Sequence, residues 1–525
     1  MTGLASREHR RLVINAITNA LYFASTVVVV FFVSPILVHG LGDNRYGAWL
    51  LVNSVVAYMA LAELGVGASV VRYVSRFDGL HDQDAINRIF STSLFIFGCV
   101  GVVLLLTTSA LAIFWARPFG VDQTVADEMR WLLVVLGANL AIAFPLGLYK
   151  TVLVGLGQYP IVNAVRISSL IVRNVLLVAC VHYDGSLLTI GLAITCGSLL
   201  DHVCSTAAAY RYLPGLRFGW RFVDRETLRA IRGYSGYVFL TYIAYRIATE
   251  SNPLIVGAFL TPTAVTYFGI ACSLSNQAGD GLRTAIAVLT PTVSRWDALG
   301  AETAIARLLV TGTRYLLYMA VPIQVGLILL GRQFIALWMG TTYAQQCYPA
   351  LVVFAMPLAL VLAQAMSARI LEGLGKVAPL FVLTLVQGAL VVTLGVALIG
   401  PLGIIGVATA ATVASVVQSV GVIVIACRAA RVPIAKYSWR SWTLPTVAAA
   451  YISGVWLLGR WLLPPITTWA SFFGTGLGGM ALYVPFVVCL DPSLRRIVKS
   501  TISGLGAGAH AAPVQQLAGV SPPGD

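Results

Sequence analysis

The chain has 525 residues, of which 58% are hydrophobic and only 10% charged, and it carries a formal net charge of +14. Soluble domains hold about 25% charged residues, so this composition excludes a water-soluble protein and points to an integral membrane one. The eight cysteines are scattered without a CxxC or Cys/His cluster, so neither a disulfide framework nor a zinc site is indicated, and no cofactor is implied.

Taken in chain order, Arg7, Arg10 and Arg11 precede a first apolar run over 12–38. That run is too long for a signal-peptide core and reads as an uncleaved span. Further apolar stretches follow at 46–71, 90–115, 129–153, 159–182, 186–209, 234–260, 264–291, 311–330, 346–370, 377–399, 402–427, 440–463 and 467–490. Each approaches the ~20 residues that a helix needs to cross a bilayer. Val27 to Val33 and Val391 to Ile399 show no alternation, which argues against a transmembrane β-barrel. The expectation is therefore an all-α integral membrane protein of about 14 transmembrane helices.

Most of the 34 Lys and Arg fall in the loops on one side of this topology, the bias that sets membrane orientation. The basic excess is thus topological, with lipid headgroups as its neighbours, and it is no sign of a nucleic-acid partner. Both ends, the second with Arg495, Arg496 and Lys499, are expected on the cytoplasmic side of a plasma membrane. Residues 210–233, with six arginines, read as a basic cytoplasmic linker bearing an amphipathic helix. The Gly-, Ala- and Pro-rich end of the chain reads as disordered.

The two sides of that linker echo each other. Leu153-Val-Gly-Leu-Gly-Gln158 and Leu371-Glu-Gly-Leu-Gly-Lys376 lie 218 residues apart, each with a proline soon after, and Tyr46-Gly-Ala48 is echoed by Phe268-Gly-Ile-Ala271. This suggests two pseudo-symmetric six-helix lobes, 12–209 and 234–427, related by an axis along the membrane normal. An arm at 1–11, two further helices within 428–490 and a tail at 491–525 complete the division.

The motif Ser34-Pro-Ile-Leu-Val-His-Gly-Leu-Gly-Asp-Asn-Arg-Tyr-Gly-Ala-Trp49, followed by Ala62-Glu-Leu-Gly-Val-Gly-Ala-Ser-Val-Val-Arg72, resembles the start of the bacterial polysaccharide flippases. These are the O-antigen and exopolysaccharide (Wzx-type) transporters of the multidrug/oligosaccharidyl-lipid/polysaccharide exporter superfamily. Leu337-Trp-Met-Gly340 and Glu372-Gly-Leu-Gly-Lys376 are similar to that family as well. The resemblance implies a V-shaped bundle of two lobes around a central cavity. It also implies export of an undecaprenyl-diphosphate-linked oligosaccharide from the cytoplasmic to the periplasmic leaflet, alongside polysaccharide polymerase and assembly proteins. Glu63 matches a position the family keeps acidic, read here as a helix–helix hydrogen bond or a cap.

Arginines at lipid depth carry the candidate chemistry. A guanidinium in hydrocarbon costs about 3 kcal/mol, so it needs a partner or a wet cavity. Arg166 and Arg173 are seven residues apart on one face of the fifth span. Arg246 has Glu250 four residues on, and Arg283 has Asp280 three residues before, spacings that bring side chains together on a helix. The functional reading makes Arg166, Arg173, Arg246 and Arg283 the diphosphate-binding groups, since guanidinium forks meet phosphates bidentately. Arg246 and Glu250 form a gating pair, and Glu250, Asp280 and Asn276 are the ion-coupling candidates. The structural alternative is snorkelling for Arg166 and neutralised ion pairs for the rest. Asp201 and His202 read as a hydrogen-bonded structural pair. Tyr58, Tyr242, Tyr245 and Tyr267 are either sugar-stacking rings or packing residues. The absence of a large outward loop or a catalytic cluster disfavours a polymerase or ligase, so an enzyme is not expected. Within the same superfamily, the lipid II flippase and cation-coupled drug extruders stand as alternatives.

Overall fold

The computed structural model describes residues 2–114 and 121–496. The tail beyond 496, with Lys499, lies outside the described residues, as do the side chains of Arg7, Arg10, Arg11 and Arg232. Among the described residues nine helices are long and apolar enough to cross a membrane, or ten if one bent pair is joined.

The first helix, α1, runs from Thr2 to Met59. At 1.5 Å per residue its 58 residues span about 87 Å, far beyond a ~30 Å hydrocarbon core, so it must be divided. The break is at Gly42, whose φ of 75° places it outside the helical region, where only glycine sits without strain. A 3₁₀ turn, Ala60–Glu63, then leads into α2 (Val66–Gly79) through left-handed Leu64 and Gly65. The Glu63 carboxylate accepts from the Gly67 amide and lies so close that a β-carbon on Gly67 would meet it at 2.4 Å. Glu63 is therefore a cap, and the segment expected as one span over 46–71 is a helix, a tight turn and a second helix.

Four long helices complete the first run: α3 (Gln83–Phe114), α4 (Gln123–Gly155), α5 (Tyr159–Tyr183) and α6 (Leu187–Tyr212). The linker does not form a separate amphipathic helix. Residues 213–224 hold a turn at Leu213–Leu216, an extended stretch and a short turn at Trp220–Phe222, and the remainder is the opening of α7 (Arg225–Phe259). The reason is local: the Asp224 side chain accepts from the Thr227 amide at 2.7 Å and caps α7 at that point.

Beyond α7 come α8 (Pro262–Ile286), α9 (Leu289–Ala298), α10 (Glu302–Arg307) and, through a π turn at Leu308–Gly312, α11 (Thr313–Trp338). The eighth span thus ends earlier than expected, and the ninth is longer. The tenth is a bent pair, α12 (Thr341–Ala355) and α13 (Leu358–Gly373), with a 44° break at Pro357, where the ring denies the helix an amide donor. The 52-residue α14 (Ala378–Ala429) is broken at Gly403, with φ 57°; α15 (Ile434–Leu462) and α16 (Trp469–Leu490) follow. Dividing α1 and α14 at their glycines, joining α12 with α13, and admitting the less apolar α7 and α8 reproduces the fourteen segments. Apolarity alone does not establish that count.

The backbone repeats itself at the offset seen in the sequence. Gly157 and Gly375 close α4 and α13 in the left-handed conformation, with φ of 69° and 68°. Both turns use the same three backbone bonds, ending Gln158 to Leu153 at 2.9 Å and Lys376 to Leu371 at 2.8 Å. Gly155 is packed against Val74 of α2, and Gly373 against Val293 of α9. Gly185, between α5 and α6, and Gly403, inside α14, are again 218 residues apart and both left-handed.

By packing, the described residues form two compact units, one up to Thr266 and one from Tyr267 onward. The core of the first includes Phe90, Leu148, Val152 and Leu153 beneath α2, α3 and α4. The second is built around Leu316, Leu362, Met366 and Ile370 of α11 and α13. A smaller cluster joins Tyr318, Trp456 and Tyr483 of α11, α15 and α16.

Candidate functional site

Arg166 and Arg173 lie on α5, which packs along α1. The Arg166 guanidinium stands 5.6 Å from the centre of the Tyr22 ring, a cation–π distance. One turn away on α5, buried Asn163 donates to Asn19 Oδ1 at 2.6 Å and to Thr18 Oγ1 at 3.3 Å. The stem of Arg173 crosses α6 at Gly197, where a β-carbon would sit 2.5 Å from that of the arginine. Among the described residues no carboxylate lies within ion-pair distance of Arg166 or Arg173. Both residues are partly accessible, and the Tyr22 ring that Arg166 meets does not cancel charge.

Arg246 is arranged differently. Its Nη1 donates to Glu250 Oε1 at 2.9 Å within α7, and Ser54 of α1 hydrogen-bonds the same carboxylate. Tyr58 and Ser251 share a 2.5 Å hydrogen bond one turn away. This polar cluster sits on a seam between α1 and α7 that is otherwise tight. A β-carbon on Gly257 would meet Leu51 at 2.4 Å, and where the seam continues onto the first turn of α8, one on Gly47 would lie 1.7 Å from the Pro262 carbonyl oxygen. Thr266 closes the seam by donating to the Asp43 carbonyl at 2.6 Å.

On α8, Arg283 Nη1 donates to Asp280 Oδ1 at 2.6 Å. Asn276 donates to Cys272 Sγ at 3.4 Å and Gln277 to Ser273 Oγ at 2.8 Å, both at exposed positions. The structure thus brings together the pairs Arg246–Glu250 and Arg283–Asp280, and gives Asn276 a partner other than Asp280. Groups of three or more His, Cys, Asp or Glu able to hold a metal ion are absent among the described residues. Of the tyrosines, Tyr242 and Tyr245 are exposed, and Tyr267 meets Tyr343 edge-on at 5.9 Å.

Two charged networks were not anticipated. Asp201 takes its partner from α4, where Lys150 Nζ lies 2.6 Å from Oδ2; His202 turns instead to Ser198 Oγ at 3.2 Å. Lys150, itself inside an apolar run, was the available signal. In the second unit, buried Asp491 pairs with Arg314 Nε at 3.1 Å and accepts from Tyr318 at 3.2 Å. Burial pushes the Asp491 pKa up, but hydrogen bonds from Ser493 and Tyr318 and the Arg314 charge outweigh it and hold the group below the ordinary aspartate value. That network fastens the end of α16 to α11.

A family model described as polysaccharide biosynthesis protein matches residues 36–348. The chain belongs to that family. A protein of the polysaccharide biosynthesis family is thus what the opening motif marks, and the expectation drawn from that motif holds at family level. Among curated relatives, the uncharacterized membrane protein EpsK of Bacillus subtilis (strain 168) is 21% identical over 507 residues, covering 93% of this chain and 98% of EpsK. Among solved structures, the lipid II flippase MurJ in an inward closed conformation is similar with a TM-score of 0.74. It is 13% identical, with 90% of this chain and 99% of that one covered. An inward-facing multidrug resistance MATE family transporter of the MOP superfamily matches with a TM-score of 0.65 at 17% identity, over 77% of this chain and 94% of that one. This polysaccharide biosynthesis protein therefore shares the fold of those two structures.

Proposed function

We propose that this protein is a flippase that carries a polyprenyl-diphosphate-linked oligosaccharide from the cytoplasmic to the periplasmic leaflet of the plasma membrane. The observation that carries the reading is the pair Arg166 and Arg173, two guanidinium groups at lipid depth that face no carboxylate among the described residues. Leaving charge uncompensated there costs several kcal/mol unless something anionic visits. A diphosphate supplies two adjacent anionic groups that an arginine fork can grip bidentately. Arg246 and Arg283 are the further diphosphate-binding groups proposed, freed when Glu250 and Asp280 release them, and those acids with Asn276 are the proposed coupling groups for an ion gradient. Residues 12–209 and 234–427 are the proposed lobes, with both chain ends on the cytoplasmic side. The seam of α1 with α7 and the first turn of α8, with Gly257 and Gly47 at its closest approaches, is the contact that opens for release.

The test replaces Arg173 and Arg166 with Gln, singly and together, and measures surface polysaccharide at matched membrane levels. The expected result is at least about a tenfold loss for Arg173→Gln, since a charge-assisted bond contributes about 1.5–3 kcal/mol, with partial recovery in Arg173→Lys. Normal export in the double variant overturns the reading. A second reading, transport of the peptidoglycan precursor lipid II, is favoured by the similarity to MurJ across 90% of the chain. Rescue of a lipid II flippase depletion with unchanged surface polysaccharide decides for it.

A further inference from the structure

The extended segment between α6 and α7 is fastened along α3 by a row of polar side chains. Asn87 donates to the Gly215 carbonyl at 3.2 Å and accepts from the Arg217 amide at 2.9 Å. One turn on, Ser91 accepts from the Gly219 amide at 3.3 Å and donates to the Arg217 carbonyl at 3.4 Å. Thr92 then reaches the Phe222 carbonyl at 3.4 Å. These three side chains are buried, and Leu216 inserts into the core beneath them. With one face pinned, the opposite face is fixed outward: Arg217, Phe218, Trp220 and Arg221, continued by Arg225 and Arg229 on α7, are all exposed. The Trp220 ring is 70% exposed and meets Phe95 of α3 edge-on at 5.9 Å and Phe218 at 5.6 Å. Asp224 is already engaged as the cap of α7, which leaves Glu226, exposed beside Arg225, against four arginines.

We infer that this strap is a binding site for anionic phospholipid headgroups, independent of the cargo path. Indole and phenyl rings settle where hydrocarbon meets headgroup, and the exposed Phe95 continues that band down a membrane-crossing helix. Arginines just outside it meet lipid phosphates, each contributing about 1 kcal/mol near an anionic surface. The pattern of rings flanked by guanidinium groups, on backbone that cannot turn away, selects for charge on the lipid rather than for lipid in general.

The experiment uses the full-length protein in native mass spectrometry, titrated with phosphatidylglycerol against phosphatidylcholine. The expected result is retention of phosphatidylglycerol over phosphatidylcholine, weakened about fivefold for each arginine neutralised in Arg217→Gln/Arg221→Gln. Arg217→Lys/Arg221→Lys retains the preference. Asn87→Ala keeps every charge but frees the strap, and loses part of the selectivity. The neutralised variant keeps the wild-type melting temperature in phosphatidylcholine, which separates lipid loss from misfolding. Equal retention of the two lipids, or an unchanged preference in the double Gln variant, overturns the assignment. So does displacement of the lipid by inorganic pyrophosphate at concentrations matched in phosphate, which would return these arginines to the cargo.

Discussion

Arg173 and Arg246 meet the same physical requirement by different means. Both carry a full charge into apolar helices, yet Arg246 has Glu250 at 2.9 Å, while Arg173 lies beside Gly197 with no acid near it among the described residues. The Lys150–Asp201 pair behaves as Arg246 does, but across two helices. Its side chains are only 26% and 13% exposed, so removing one partner strands the other. Lys150→Met is expected to lower stability by about 3 kcal/mol, read as a fall in melting temperature in detergent. The double replacement Lys150→Met/Asp201→Leu should recover most of that loss, because two apolar groups need no mutual compensation.

The sequence carried a good deal of the fold at the level of single elements. The Leu-x-Gly-Leu-Gly echo marks two turns with the same backbone bonding. Another echo, Arg76-Phe-Asp-Gly-Leu80 against Arg295-Trp-Asp-Ala-Leu299, is obscured in the sequence because its aromatic and small positions differ. Side-chain pairs within one helix were legible, since spacings of three and four fix a contact. Pairs between helices, such as Lys150 with Asp201 or Arg314 with Asp491, were not, because spacing says nothing about which helices adjoin. The linker was misjudged for a related reason: its arginines suggested a free helix, whereas Asn87 and Ser91, far upstream, hold it extended. Gly47 predicts a further element-scale effect. Gly47→Ala drives a methyl group into the Pro262 carbonyl, and overpacking of this kind costs about 1–3 kcal/mol. Hydrogen exchange should rise over 43–58 and 251–262 in that variant. At the start of α7, burial pushes the Asp224 pKa up, but hydrogen bonds from Thr227 and the Glu226 amide and the charge of Arg88 outweigh it and hold the group below the ordinary aspartate value. A lowered folded pKa means that the cap's contribution is complete at neutral pH and is lost only as pH falls through that value. Exchange protection of the first turn of α7 should therefore persist at pH 5 and fail in stronger acid. Asp224→Ala should lack it throughout, at a cost of about 1 kcal/mol.

For the whole molecule, the charge distribution predicts a topology that labelling tests directly. Single cysteines introduced into a cysteine-free background at His81, Trp220 and Gly300 should be labelled by an impermeant maleimide only from the cytoplasmic side. Cysteines at Asp184 and Thr341 should be labelled only from the opposite one. Reversal of any of these assignments would break the even division of helices on which both proposed lobes rest.

The contact between Arg166 and the ring of Tyr22 also bears on how the chain is made. Ribosomal synthesis delivers α1 to the bilayer well before α5, so the aromatic face and the amide of Asn19 are already waiting when the arginine-bearing segment leaves the translocon. A late, reluctant helix is thereby received by an early one. The segment is apolar enough to cross by itself, and the neighbour over a hundred residues upstream eases the burial of its charge.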